Sequence, residues 1–151
     1  VPEIRLVVFR LKGAQYAAPI ERVREILKPV RFIRMPRAAE WIRGLFNLRG
    51  RVLPLIDTAA RLGLKRENEF APKARVVVVD AGGEEVGLVV DEVLEVMHCD
   101  SSAVQAPENV MEAPREAFLD GVLDLEGRLV LVLALDSLMA GASEAAAARK
   151  P

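Results

Sequence analysis

The chain writes one phrase twice. NLRGRVLPLID runs from Asn47 to Asp57, and DLEGRLVLVLALD runs from Asp124 to Asp136. Over Gly44–Val52 and Gly121–Leu129 the offset is a constant 77, and four of nine positions are identical: Gly44/Gly121, Leu48/Leu125, Gly50/Gly127 and Arg51/Arg128. Upstream, at an offset of 70, GAQYAAPIERVREIL (Gly13–Leu27) lies over GEEVGLVVDEVLEVM (Gly83–Met97), pairing Ile20 with Val90, Val23 with Val93, Glu25 with Glu95 and Ile26 with Val96. Two matched segments in the same order restrict the fold to a pair of similar modules, since two copies are too few for a solenoid. The expectation is one domain over residues 1–151, internally duplicated at roughly 4–72 and 73–141, a size that one or two small cores can fill.

Those modules read as short strands. Leu6–Leu11, Tyr16–Ile20, Val52–Ile56, Ala74–Asp80, Val86–Val90 and Leu129–Leu135 are rich in Val, Leu and Ile and are bounded by Gly, Pro or charge. LKGAQY and VDAGGEEV read as hairpins, and Gly50 and Gly127 are assigned as structural turn glycines between strands. Pro54 has no N–H for a ladder, which points to an edge position. Helices are few: PRAAEWIRGL begins with proline and places Ala39, Trp41, Ile42 and Leu45 near one side. Asp57 and Asp136 each stand where they could N-cap a short helix. ERVREIL fits a helical period or a short turn leading into a strand, and the neighbouring strands favour the turn. Residues 100–119 read as a surface connection, and SEAAAARKP as a fraying end. Many short strands twice over indicate two small barrels.

Catalytic chemistry is hard to assemble from this chain. It has one histidine, His98, and one cysteine, Cys99. A lone thiol and a lone imidazole make neither a disulfide nor a structural zinc site. As neighbours on a strand they point to opposite faces, which is poor geometry for a nucleophile and its base. No P-loop, dinucleotide fingerprint, EF-hand or zincin motif is present. The expectation is a protein that is not an enzyme, with no metal and no cofactor.

Charge is uneven. Residues 1–75 hold 17 Lys/Arg and 7 Asp/Glu, a net +10, whereas residues 76–151 hold 4 and 15, a net −11. Arg22, Arg24, Lys28, Arg31, Arg34, Arg37 and Arg43 recur over about twenty residues, which raises nucleic-acid binding as a minor alternative. Few aromatics are interleaved with them, which argues against a base-stacking platform. The longest apolar run, Leu129–Leu135, is too short to span a bilayer. A binding module remains, with the branched face at Ile20, Val23 and Ile26 as a candidate groove for an apolar partner element.

The order I-x-x-V-x-E-I at Ile20–Ile26, WIRGLFNLRGRVLPLID at Trp41–Asp57, VGLVVDEV at Val86–Val93 and DGVLDLEGRL at Asp120–Leu129 closely resembles CheW-like domains, over roughly Ile4 to Leu138. The resemblance implies a mainly β fold of two pseudo-symmetric five-stranded SH3-like β-barrels with a few short helices, in which strands can cross between barrels. It implies a non-enzymatic chemotaxis adaptor that couples the cytoplasmic tips of methyl-accepting chemoreceptors to the regulatory domain of the histidine kinase CheA, docking barrel end to barrel end in rings. Such an adaptor is cytoplasmic and associated with membrane-receptor arrays, with no nucleic-acid partner and no membrane insertion of its own. By position, the receptor-facing groove falls on Val7, Ile20, Val23, Glu25 and Ile26. The kinase-facing end falls on Arg43, Gly44, Arg49 and Val52, with Gly44 itself expected to serve structure. No kinase or receiver motif accompanies the module, so a free-standing adaptor is expected. The alternative is a CheW-like domain cut from a larger signalling protein, such as the CheA regulatory end or an adaptor–receiver fusion.

Overall fold

The computed structural model describes residues 2–65, 69–107 and 115–140. Its strands are β1 (Glu3–Leu11), β2 (Ala14–Pro19), β3 (Val23–Leu27), β4 (Ile42–Leu48), β5 (Arg51–Asp57), β6 (Arg75–Ala81), β7 (Glu84–Val90), β8 (Glu92–Asp100), β9 (Val104–Gln105), β10 (Leu119–Leu125) and β11 (Arg128–Leu133). Two one-turn helices follow the repeated phrases: α1 (Thr58–Arg61) and α2 (Leu135–Leu138). Among the described residues no helix is long and apolar enough to cross a membrane.

The strands form two sheets, in the orders β8-β1-β2-β11-β10-β9 and β3-β6-β7-β5-β4. Both have the same plan. An antiparallel hairpin (β1–β2 or β6–β7) has one outside neighbour that is antiparallel (β8 or β3) and one that is parallel (β11 or β5), and the parallel strand belongs to a second hairpin. The N-terminal hairpin β1–β2 is built into the sheet of the C-terminal strands, while β6–β7 completes the sheet of β3, β4 and β5. The chain therefore crosses between the sheets at Ile20–Arg22 and again at Asp91, both very short links.

Strand alternation explains how one hairpin serves two cores. Val76 and Val78 of β6 pack inside their own sheet with Phe46, Leu53 and Leu55, while Val77 and Val79 face a shared core. Likewise Leu6 and Val8 of β1 join Leu123 and Val130, and Phe9 and Leu11 turn to the shared core. That shared core joins Phe9, Tyr16 and Leu133 of one sheet to Ile56, Val77 and Leu88 of the other. Strands buried on both faces read as continuous apolar runs, which is why RVVVVDA and RLVLVL carry no alternation in sequence.

The four tight hairpins all use two-residue loops with positive φ at both positions: Lys12–Gly13 (50° and 82°), Arg49–Gly50 (50° and 87°), Gly82–Gly83 (61° and 84°) and Glu126–Gly127 (56° and 93°). This is the backbone that the right-handed twist of hairpin strands prefers, and it needs glycine where φ is largest. Asn47 and Asp124 brace the two repeated turns, their Oδ1 atoms accepting from the amides of Gly50 (2.8 Å) and Gly127 (3.0 Å).

Three expectations need correction. The segment 36–45 is not a helix: turns at Pro36–Arg37 and Glu40–Trp41 lead into β4, which starts at Ile42. The apolar spacing there has another cause. Trp41 lies under the Arg61 guanidinium (4.2 Å to the ring centroid), and Ile42 enters the shared core. Asp57 does cap its helix, accepting from the Ala60 amide at 3.1 Å, but Asp136 lies within α2 and accepts instead from the Gly82 amide (2.8 Å) and from Arg22. Pro54 is not on an edge strand, since β5 has β4 and β7 on either side. The β7 register begins only at Leu55, so proline sits where β5 has one partner. ERVREIL forms a 3-10 turn at Ile20–Arg22 and then β3, as the neighbouring strands indicated. The expected surface connection forms a 3-10 turn at Ser101–Ala103, β9 and a second turn at Arg115–Phe118, while residues 108–114 and the SEAAAARKP end lie outside the described residues.

Candidate functional site

The site centres on the β4–β5 turn. Arg49 occupies the first loop position at φ 50°, a conformation that costs a non-glycine residue about 1 kcal/mol. Its side chain reaches β3 and grips Glu25 with both terminal nitrogens, Nη1–Oε1 at 2.7 Å and Nη2–Oε2 at 2.9 Å. Two parallel hydrogen bonds fix both side chains in one plane. Glu25 is held below its usual carboxylate range by the Arg49 hydrogen bonds, against the opposing effect of desolvation, and Arg49 is raised by the same partner. The Arg49 side chain remains 67% exposed, so the pair lies at the surface. Arg51, two residues on, pairs with Glu85 of β7.

The same strands, β3 and β5, also carry exposed apolar side chains. Ile26 is 43% exposed and Val52 is 63% exposed. Ile20 and Val23 are half-buried, and Val23 leans on the shared core. Glu25 and Ile26, as neighbours on one strand, take opposite sides of it.

The structure thus brings Glu25 and Arg49 together and leaves Ile26 and Val52 open to solvent. It places three other candidates in the interior. Val7 is 3% exposed in the middle of β1. Arg43 is 6% exposed, near Asp57 (Nε–Oδ2 3.6 Å) and with its guanidinium 5.2 Å from the Phe70 ring centroid. Gly44 is buried, and a Cβ there would lie 2.1 Å from the Ile33 carbonyl oxygen. Arg43 and Gly44 therefore support the end of the sheet from behind. Gly50 and Gly127 occupy the turn positions expected of them.

The second module repeats the patch with different charges. Val96 (49% exposed) and Leu129 (45% exposed) stand at the positions matching Ile26 and Val52. Glu95 matches Glu25, but the arginine of the turn is replaced by Glu126, so Glu95 instead receives Arg128 at 2.7 Å. Arg128 also donates to Gln15 at 2.7 Å, just as Arg51 meets Glu85 at the matching positions. This second patch was not singled out in the sequence. The signal was available in the same alignment, because solvent-facing apolar residues recur at matched positions in both copies.

Among the described residues no catalytic constellation stands at either patch. Among the described residues no group of three His, Cys, Asp or Glu side chains could hold a metal ion. His98 Nδ1 lies 3.1 Å from Glu3, on the surface. The Cys99 thiol is pushed up by burial and by the nearby Asp100 and Glu3 carboxylates, the opposite of what a nucleophile needs.

The family model described as the CheW-like domain matches residues 5–143. The chain is a CheW-like domain. "Chemotaxis protein CheW" of Rhizobium meliloti is 33% identical over 133 residues, covering 88% of this chain and 85% of that protein. "Protein PilI" of Pseudomonas aeruginosa is 35% identical over 123 residues, covering 78% and 66% respectively. The crystal structure of the scaffolding protein TtCheW from Thermoanaerobacter tengcongensis superposes with a TM-score of 0.83 at 29% identity, over 91% of this chain and 93% of that one. The interleaved pair of sheets is thus the CheW-like fold, and the Glu25–Arg49 pair decorates one end of it.

Proposed function

We propose that this CheW-like chain is a non-enzymatic chemotaxis adaptor, located in the cytoplasm at receptor arrays, that couples chemoreceptor tips to the regulatory domain of the histidine kinase CheA. The observation that carries the reading is Arg49. A turn position with φ 50° favours glycine or asparagine, yet the chain keeps an arginine there and holds it rigidly against Glu25 with most of its surface in solvent. A planar, preorganised guanidinium at the surface, on a module that also leaves Ile26 and Val52 exposed, is the composition of a protein-binding hot spot.

In this reading Ile20, Val23, Glu25 and Ile26 line the receptor-facing side, and Arg49 and Val52 form the kinase-facing end. Val7, Arg43 and Gly44 act from beneath, by holding the strands that present these residues. The matching patch at Val96, Glu126 and Leu129 supplies a second docking end, which a chain that alternates with kinase in a ring requires. The test is co-elution of the purified protein with a CheA regulatory domain and with a receptor tip fragment. Both complexes are expected at micromolar concentrations, and Arg49→Ala weakens them with the fold intact. Absence of binding to either partner overturns the proposal.

A further inference from the structure

The stretch KPVRFIRMPR between β3 and β4 carries Lys28, Arg31, Arg34 and Arg37 at a spacing of three, with no acid from residue 26 to residue 39. The fold explains its backbone. Ile33 donates to the Leu45 carbonyl (2.8 Å) and accepts from the Leu45 amide (2.9 Å), so the segment lies along β4 as a short extra strand. Val30 and Phe32 pack on the core of that sheet. Gly44 lets the arm approach, because a side chain there would strike the Ile33 carbonyl and the Phe32 ring.

The fold does not explain the charges. The second module performs the same construction with β9, which lies on β10 over Gly121, where a Cβ would sit 2.1 Å from Val104. That counterpart, SSAVQAP at Ser101–Pro107, has no basic residue at all. Elsewhere the arginines are largely matched with acids: Arg10 with Glu92, Arg24 with Asp80, Arg49 with Glu25, Arg128 with Glu95. Lys28, Arg31, Arg34 and Arg37 are exposed, and none forms an ion pair among the described residues; Arg34 only covers the Phe32 ring, 5.9 Å from its centroid. Between Arg31 and Arg34 stands Ile33, 75% exposed, held up by two backbone hydrogen bonds.

We propose that this arm is a docking surface for an acidic protein segment that sets an apolar side chain against Ile33. Three of the four cations are arginine, whose planar fork pairs with carboxylates two bonds at a time, where lysine would serve as well for a diffuse field. The one aromatic ring on the arm, Phe32, is turned into the sheet, which removes the stacking surface that single-stranded nucleic acid uses. A single apolar residue on a rigid backbone suits a shaped recess better than insertion into lipid, where anchoring takes two signals. The proposal does not depend on the adaptor reading.

The test is fluorescence anisotropy with the intact protein and three probes: a short peptide alternating glutamate and leucine, a short DNA duplex, and vesicles of phosphatidylserine and phosphatidylcholine in equal parts. The peptide is expected to bind, with affinity falling as salt rises. Arg31→Glu with Arg34→Glu weakens it roughly tenfold or more, two exposed ion pairs being replaced by repulsion. Ile33→Ala weakens it with no change in salt dependence. All these side chains are exposed, and the arginines form no ion pair among the described residues, so circular dichroism should match the parent. An unaltered affinity in the double variant, preference for the duplex or the vesicles, or no peptide binding overturns the proposal.

Discussion

Arg49 and Glu25 join through two parallel hydrogen bonds of 2.7 and 2.9 Å, tying the tip of the β4–β5 turn to the edge strand β3. The two residues arise from different expectations, one for a receptor and one for a kinase, yet they form a single object. A disturbance of either side chain therefore reaches both proposed faces. Arg49→Ala and Glu25→Ala should each reduce binding to both partners, while thermal stability changes little, as is usual for an exposed ion pair. Parallel pull-downs and melting curves check this. Loss of one partner only, with the other untouched, would separate the two faces.

Gly44 and Gly50 lie six positions apart and should fail for different reasons. A Cβ at Gly44 meets the Ile33 carbonyl oxygen at 2.1 Å, so Gly44→Ala must push the arm off β4 or distort the strand, at a cost of about 2–4 kcal/mol. At Gly50 nothing lies within 4 Å, and only the φ of 87° opposes a side chain. Gly50→Ala should cost about 1 kcal/mol. Denaturant titrations of both variants give the order, and Gly44→Ala should also expose the backbone amides of Ile33 and Leu45 to faster hydrogen exchange.

Cutting the chain between residues 65 and 73 should yield no independently folded half. The first fragment would carry β1 and β2 without β8 and β11, and the second would carry β6 and β7 without β3 and β5. Each half would expose its share of the core around Phe9, Val77 and Leu88. Far-ultraviolet circular dichroism should show two unfolded fragments that regain sheet structure when mixed. A stable fragment from either side alone would contradict the exchange of hairpins.

Acidity has opposite effects at two places. Arg49 holds the Glu25 carboxyl below its ordinary range, so the pair's contribution is present above about pH 4.3 and is lost as pH falls through the lowered folded value. Asp120 is raised, first by burial and then by Asp136, against the pull of Arg22. For a raised carboxyl the folded state holds its proton longer, so stability declines as pH rises from the ordinary aspartate value through the folded one. Asp120→Asn should therefore raise the Tm at neutral pH and lose that advantage in acid below the ordinary aspartate range. Melting curves across acid to neutral pH for Glu25→Ala and Asp120→Asn test the signs.

Cys99 should be a slow thiol. Burial and two neighbouring carboxylates keep it protonated, so alkylation by iodoacetamide at neutral pH should lag behind free cysteine. A reaction as fast as that of a free thiol would count against this environment.

Much of the fold was written in local chemistry. Strands announced themselves through Val, Leu and Ile between turn residues, and the glycines at 13, 50, 83 and 127 marked hairpins whose loops have the required positive φ. The stretch 36–45 resembles a helix because Ala39, Trp41, Ile42 and Leu45 mimic a helical stripe, whereas Trp41 is half-buried beside Arg61 and Ile42 is buried in the shared core, both by distant partners. Those partners lie beyond any local window. At the site, the resemblance located Arg49 and Glu25, but only the fold shows that they touch. Arg43 and Val7 looked like surface candidates because sequence position does not reveal that β1 lies between β8 and β2, or that Arg43 lies beneath Phe70. The exposed arm at Ile33 escaped notice as an element because its strand character rests on one bridge to Leu45.

The short crossings at Ile20–Arg22 and Asp91 have a mechanical meaning. With one covalent link of three residues, another of one, and a common core between them, swivelling one sheet against the other would have to break the packing of Phe9, Tyr16 and Leu133 on Ile56, Val77 and Leu88. A load taken up at one end arrives at the other as torque on the whole body, much as a yoke transfers the pull of one animal to its neighbour. For a part that sits between other parts, stiffness of this kind is what allows a small tilt on one side to be felt on the other.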